Sequence, residues 1–153
     1  MPYPDFEEFI AELNVHGVKY LVVGAHALAH HARPRATKDL DILIDAKPRN
    51  ARRAIEAIES FFGGADLGYT VDDLLEPDWF IQLGVAPVRI DLLTNLLGCA
   101  KFPTLWKRRV EASFGDEPAN FLSLGDLIRA KTAAGRPQDL ADLHELKKVQ
   151  EFD

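Results

Sequence analysis

Apolar residues at Phe6, Phe9, Ile10 and Leu13 fall at i, i+3, i+4 and i+7, the spacing that lines one face of a helix, and the pattern ends near Gly17. Tyr20 to Val23 reads as a short apolar strand closed by Gly24, and Ala25 to Ala32 has the alanine-rich composition of a helix. Pro34 breaks that helix, because the residue before a proline is pushed out of helical geometry. A loop then leads to a second strand, Leu40 to Ile44. Pro48 opens and Gly63-Gly64 close a long helix whose apolar positions are Ala54, Ile55, Ile58, Phe61 and Phe62. Trp79 to Leu83 and Val88 to Leu93, on either side of Gly84-Val85-Ala86-Pro87, predict a hairpin. Beyond it the pattern predicts a helical piece around Leu105 to Arg109 and a strand at Val110 to Phe114. Ser123 and Asp126 form a capping box for a helix through Ala134, and Pro137 opens a last helix, Gln138 to Val149.

This alternation predicts an α+β, layered architecture: a mixed β-sheet with helices packed against it and a C-terminal helical tail. No repeat, linker or second core interrupts the 153 residues, so one domain is expected over residues 1–153, with a core over about 18–95 and a helical part over about 102–150.

Composition narrows the function. Nothing approaches the run of roughly 18 apolar residues that a membrane span needs, and the N-terminus lacks a basic start followed by an apolar stretch, so a cytoplasmic protein with no membrane partner is expected. A single cysteine, Cys99, excludes an internal disulfide and a thiolate zinc cluster, and reads as a lone buried thiol. The net charge of -6 argues against unspecific coating of nucleic acid, and no DNA partner is expected. Locally the balance reverses: between positions 33 and 53 lie Arg33, Arg35, Lys38, Lys47, Arg49, Arg52 and Arg53 against Asp39, Asp41 and Asp45. They would guide a polyanionic substrate, although Arg49, Arg52 and Arg53 also suit the solvated face of a helix.

The candidate chemistry lies in Asp39-Leu40-Asp41. Alternation on a strand puts both carboxylates on one face, and two like charges side by side call for a retained proton or a divalent cation. Gly24, at a strand-to-helix turn, would let backbone approach a ligand closely, and the N–H groups of the next helix suit phosphate. Asp91, late in the hairpin, is a third strand-borne acid. Carboxylates of this kind hold magnesium or manganese, hard ions that share oxygen ligands with substrate phosphates, as in two-metal phosphoryl transfer.

The apolar strand with Gly24-Ala25, followed by Arg35-Ala36-Thr37-Lys38-Asp39-Leu40-Asp41, resembles the core of the nucleotidyltransferase superfamily that includes DNA polymerase beta. The stretch from Phe121 through Lys131, Arg136, Asp139 and Asp142 is similar to the helical tail of its small bacterial members of the toxin–antitoxin and abortive-infection type. The resemblance implies a magnesium- or manganese-dependent enzyme that moves a nucleoside monophosphate from ATP or another nucleoside triphosphate to an acceptor hydroxyl on tRNA, a partner protein or a small molecule, releasing pyrophosphate. It implies that Asp39, Asp41 and Asp91 are catalytic and bind metal, with Asp91 helping to deprotonate the acceptor. Gly24, Ala25, Thr37, Lys38, Lys131, Asp139 and Asp142 would contact or orient the nucleotide. The family has Gly-Gly or Gly-Ser where this chain has Gly24-Ala25, so a serine hydroxyl that grips the terminal phosphates is missing while the backbone donors remain. The alternative is therefore a nucleotide-binding module, weakly active or inactive, within a toxin–antitoxin pair.

Plainer roles exist for the same residues. Asp39 and Asp41 could cap a turn and pair with Arg33 or Arg35, Asp91 could cap a helix, Lys131 could be solvated, and Asp139 and Asp142 could be first-turn acids favoured by the helix dipole. His26 and His30 stand at i, i+4, but without a third ligand they suit hydrogen bonding near the phosphate turn better than zinc. Trp79 and Phe80 are expected in the core rather than stacked on a base.

Overall fold

All four residues of β1 (Tyr20–Val23) are buried, which demands cover on both faces of its sheet, since successive side chains of a strand point to opposite sides. The computed structural model, which describes residues 4–33, 37, 39–77, 80–84 and 89–151, shows how that cover is built. The other strands are β2 (Asp39–Ile44), β3 (Phe80–Leu83), β4 (Arg89–Leu93), β5 (Val110–Phe114) and β6 (Glu117–Phe121). Six strands form one mixed sheet in the order β3-β4-β2-β1-β6-β5. The helices are α1 (Pro4–Val15), α2 (Gly24–His31), α3 (Pro48–Phe61), α4 (Phe102–Lys107), α5 (Leu124–Ala134) and α6 (Pro137–Glu151), with a short 3-10 turn at Asp73–Leu75.

The apolar stripe of α1 and the alanine-rich face of α3 pack on one side of the sheet, against Tyr20, Val22, Leu40, Ile42, Ile44, Ile90 and Leu92. Each fully buried aliphatic side chain there contributes about 1.5–3 kcal/mol. On the other side Leu21, Val23 and Leu43 meet Ala27 and Leu28 of α2, Leu105 of α4, Leu127 of α5 and Leu146 of α6. This second layer leaves the β4–β3 end of its face open: Phe80 is 53% exposed, and Gln82, beside Asp91, is exposed as well. Phe80 is thus not a core residue, contrary to the expectation from its aromatic strand context, because no helix among the described residues covers that corner. Trp79 and the hairpin turn, residues 85–88, lie outside the described residues.

The mixed sheet, the β3–β4 antiparallel pairing and the strand at Val110–Phe114 agree with the sequence pattern. Ser123 caps α5 by accepting a hydrogen bond from the Asp126 N–H, and Gly135 ends it in the left-handed conformation. β6 was not expected. Its signal is the pair Gly115-Asp116 between two short runs, with Gly115 at φ 62 supplying the left-handed first position of a tight hairpin turn. Pro118 and Asn120 hide the strand from a propensity reading, yet β1 pairs with β6 only at Phe121, so Pro118 faces no donor demand from that side. Among the described residues no helix is long and apolar enough to cross a membrane.

Candidate active site

Two pairings build the site. Antiparallel pairing of β1 with β2 sets Val23 opposite Asp41, and parallel pairing of β2 with β4 sets Asp41 opposite Asp91 and Asp39 opposite Arg89. Directly paired residues share a face, so three carboxylates and one guanidinium stand together on the side of the sheet that carries α2, α5 and α6. The three acids are those expected from the sequence. Arg89 was not foreseen, although it stands two residues before Asp91 and strand alternation alone places it on the same face.

Arg89 is a counter-charge to two of the three acids. Its Nη2 donates to Asp39 Oδ2 at 3.3 Å and to Asp91 Oδ2 at 3.2 Å, and its Nε faces Asp91 Oδ1 at 3.2 Å. Asp41 is left with too little compensation. Burial, then the negative charges of Asp91 and Asp39, push its carboxyl up to about 6, against smaller opposing effects of Arg89 and Lys131. Burial also raises Asp91, with Arg89 opposing. The patch therefore carries crowded negative charge that a proton held up to about pH 6, or a cation, would relieve.

Gly24 makes the turn from β1 into α2 at φ 64, a left-handed backbone that only glycine adopts cheaply. A Cβ at this position would stand 3.1 Å from Asp41 Cγ and closer still to Oδ2. The turn thus lies directly against the carboxylate patch. Val23, the residue before α2, has no polar side chain to cap it, and the first N–H groups of a helix, Ala25 among them here, are the kind that suit an anionic ligand. Thr37 shapes the approach to β2: its Oγ1 accepts from the Asp39 N–H and donates to the Asp39 carbonyl, both at 3.3 Å. Lys38 and Arg35 lie outside the described residues.

The C-terminal helices add a second charged group. Lys131 Nζ lies 3.2 Å from Asp139 Oδ1 and 3.0 Å from Asp142 Oδ2. Asp139 also receives Arg136 Nε at 2.7 Å and the Arg136 N–H at 3.1 Å. Those donors, led by the Arg136 guanidinium, hold its carboxyl down to about 2. Lys131, Asp139 and Asp142 are all buried, so the lysine is neither solvated nor free-standing. Its charge still reaches Asp41, as does that of Arg136, which ties the two charged groups into one region.

Other candidates make their contacts outside the carboxylate patch, although the charge of Asp39 reaches His26. The His26 ring packs edge-on against Phe6 and tilted against Phe114, and burial lowers its pKa to about 4. His30 stacks on Phe121. Cys99 is a partly buried thiol raised to about 11 by burial and Asp126, which keeps it protonated at neutral pH. Among the described residues no three His, Cys, Asp or Glu side chains converge as a ready metal cage; Asp39 and Asp91 both turn to Arg89.

The fold and this arrangement define a class. The chain is similar over 99% of its length to a crystal structure of a candidate nucleotidyltransferase from Thermotoga maritima, with a TM-score of 0.60 and 20% identity across 96% of that protein, and so shares its fold. Residues 5–153 match the family described as nucleotidyltransferase of unknown function (DUF6036), and the chain belongs to that family. No curated protein matches it in sequence.

Proposed function

We propose that this protein is a metal-dependent nucleotidyltransferase that moves a nucleoside monophosphate from a nucleoside triphosphate to an acceptor hydroxyl. The observation that carries this reading is the register that sets Asp41 opposite Asp91 and beside Asp39, directly under the Gly24 turn. The donor set suits a divalent hard ion: the ligands would be carboxylate oxygens, Asp91 Oδ1 is buried with the Arg89 Nε at 3.2 Å but without a hydrogen bond among the described residues, and the raised Asp41 carboxyl marks excess negative charge. Asp39, Asp41 and Asp91 would hold magnesium or manganese, which when bound supplies charge neutralisation for the phosphates and a more acidic acceptor hydroxyl. The Gly24 turn and the Ala25 N–H bind the triphosphate, and Asp91 takes the acceptor proton. As the acceptor oxygen bonds to the α-phosphorus, the bond to the bridging oxygen breaks and pyrophosphate leaves. Lys131, held by Asp139 and Asp142, supplies positive charge beside the phosphates. All of this is carried on one domain, since strands and helices from both ends of the chain meet in one sheet and its two covering layers.

Incubation of the purified chain with each labelled triphosphate, a divalent metal, transfer RNA, candidate partner proteins and small hydroxyl compounds tests the reading. Pyrophosphate release with a mass gain of one nucleotide on an acceptor is expected, and is expected to vanish in Asp39→Asn and Asp41→Asn. Absence of release with every acceptor sinks it.

A second reading, a nucleotide-binding module of a toxin–antitoxin pair that does not turn over, is favoured by Ala25, which follows Gly24 in the first turn of α2 with a backbone donor but no hydroxyl. Triphosphate binding by calorimetry without pyrophosphate release would select it.

A further inference from the structure

Arg89 sits among the carboxylates in the place where a cation is needed, but its seat is poor. A guanidinium well fitted to a carboxylate makes two parallel bonds of roughly 2.7–2.9 Å. Here the contacts to Asp39 Oδ2, Asp91 Oδ2 and Asp91 Oδ1 are 3.3, 3.2 and 3.2 Å. Arg89 Nε and Asp91 Oδ1 are buried atoms, yet among the described residues neither makes a hydrogen bond. A buried polar atom without such a bond is costly, so this arrangement gains little from geometry and holds mainly through charge. The Arg89 side chain is 37% exposed, which gives the guanidinium a route out of the patch.

A divalent ion bound by Asp39, Asp41 and Asp91 would compete with Arg89 for two of those three carboxylates and would be repelled by it at short range. A bare ion must therefore displace a resident charge. An ion that arrives chelated by a triphosphate brings phosphate oxygens that can accept the guanidinium once it has left the carboxylates.

We propose that Arg89 is a displaceable internal counter-cation that makes this site a poor binder of a bare divalent ion and selects the metal–nucleoside triphosphate complex. The inference rests on the metal-dependent reading above. While the site holds no metal, Arg89 neutralises Asp39 and Asp91 and keeps β2 and β4 from repelling each other at that end. When the complex binds, the guanidinium moves to the phosphates. Arg89 is thus a positioning and selectivity residue, not a metal ligand.

The test is manganese binding by the full chain, read by electron paramagnetic resonance without and with a non-hydrolysable triphosphate. Arg89→Met is expected to bind bare manganese about tenfold more tightly than the wild type, the modest size reflecting a partly solvated charge. With the triphosphate present, that advantage is expected to disappear. In chelator the melting temperature of Arg89→Met is expected to fall below that of the wild type and to recover on addition of manganese, a recovery that a purely structural role for Arg89 would not produce. If Arg89→Met does not fold in chelator, Arg89→Gln and manganese-driven refolding carry the test, and failure of manganese to refold either variant overturns the inference. Unchanged manganese affinity in the Arg89 variants, with binding lost in Asp39→Asn, overturns the role of Arg89 alone. Wild-type affinity in Asp39→Asn would instead overturn the metal site on which it rests.

Discussion

The Asp41 carboxylate fills the space in which a side chain on Gly24 would begin. Glycine there answers two demands at once, a left-handed turn at φ 64 and room for the acid. Gly24→Ala is expected to destabilise the protein by about 1–2 kcal/mol through the backbone alone. The larger effect falls on the site, because Asp41 Cβ and Cγ stand 3.2 and 3.1 Å from the new methyl and must shift. Urea denaturation and triphosphate affinity measured together check this: the variant should stay folded while binding is lost.

Two half-buried groups respond to acid in opposite directions. Asp41 is raised from 3.8 to about 6, so the folded metal-free protein holds that proton more tightly than the unfolded chain does. The stability this adds, about 3 kcal/mol, is full below pH 3.8 and is lost as the pH rises through about 6. His26 is lowered from 6.5 to about 4, so its contribution is full above pH 6.5 and is lost as the pH falls toward 4. The two offset each other between these limits. Melting in chelator at pH 4.5 and 7 should therefore show little change for the wild type, a loss on acidification for Asp41→Asn and a gain for His26→Phe. The same slope in both variants would contradict the assignment.

Lys131 is fastened by Asp139 and Asp142, and Asp139 by Arg136. Asp139→Asn is expected to cost about 1–3 kcal/mol, since a charged partner is removed from a buried group that keeps a second one. The Asp139 contribution is complete above pH 3.8 and fades only toward about 2, so the loss should be the same at pH 5 and pH 8. In a working assay Lys131→Met should raise KM for the triphosphate more than it lowers kcat, and an effect on kcat alone would remove Lys131 from the nucleotide.

Asp126 has a structural part. It is fully buried and accepts from Ser123 Oγ at 2.9 Å, Arg108 Nε at 3.1 Å and Arg129 Nη1 at 2.8 Å. It ties α4 to the start of α5. Asp126→Ala is expected to lower stability by about 1–3 kcal/mol while leaving triphosphate affinity within twofold of the wild type, roughly 0.4 kcal/mol. Chemical denaturation and calorimetry on the same preparation separate the two effects.

Much of this protein could be read along the chain because it depends on neighbours in sequence. The stripe of Phe6, Phe9, Ile10 and Leu13 declares α1, Pro48 and the glycines after Phe61 bracket α3, and Ser123 with Asp126 starts α5. Where the local signal was weak the reading failed. Pro118 and Asn120 conceal β6, which exists because Gly115-Asp116 folds it back on β5 and Phe121 reaches β1. Phe80 looks like a core residue and is exposed, because burial depends on whether another element covers that corner of the sheet.

The same division runs through the site. Alternation of side chains along a strand is a property of covalent geometry, so the sequence alone determined that Asp39 and Asp41 share a face and that glycine must make the turn after Val23. Which residue each of them faces is a matter of strand register, set by packing between segments far apart in the chain. Only the tertiary structure decided that Asp41 stands opposite Asp91, that Arg89 rather than Arg33 neutralises Asp39, and that Lys131 is held by two acids, because those partners are fixed when β2, β4, α5 and α6 bury their apolar faces together.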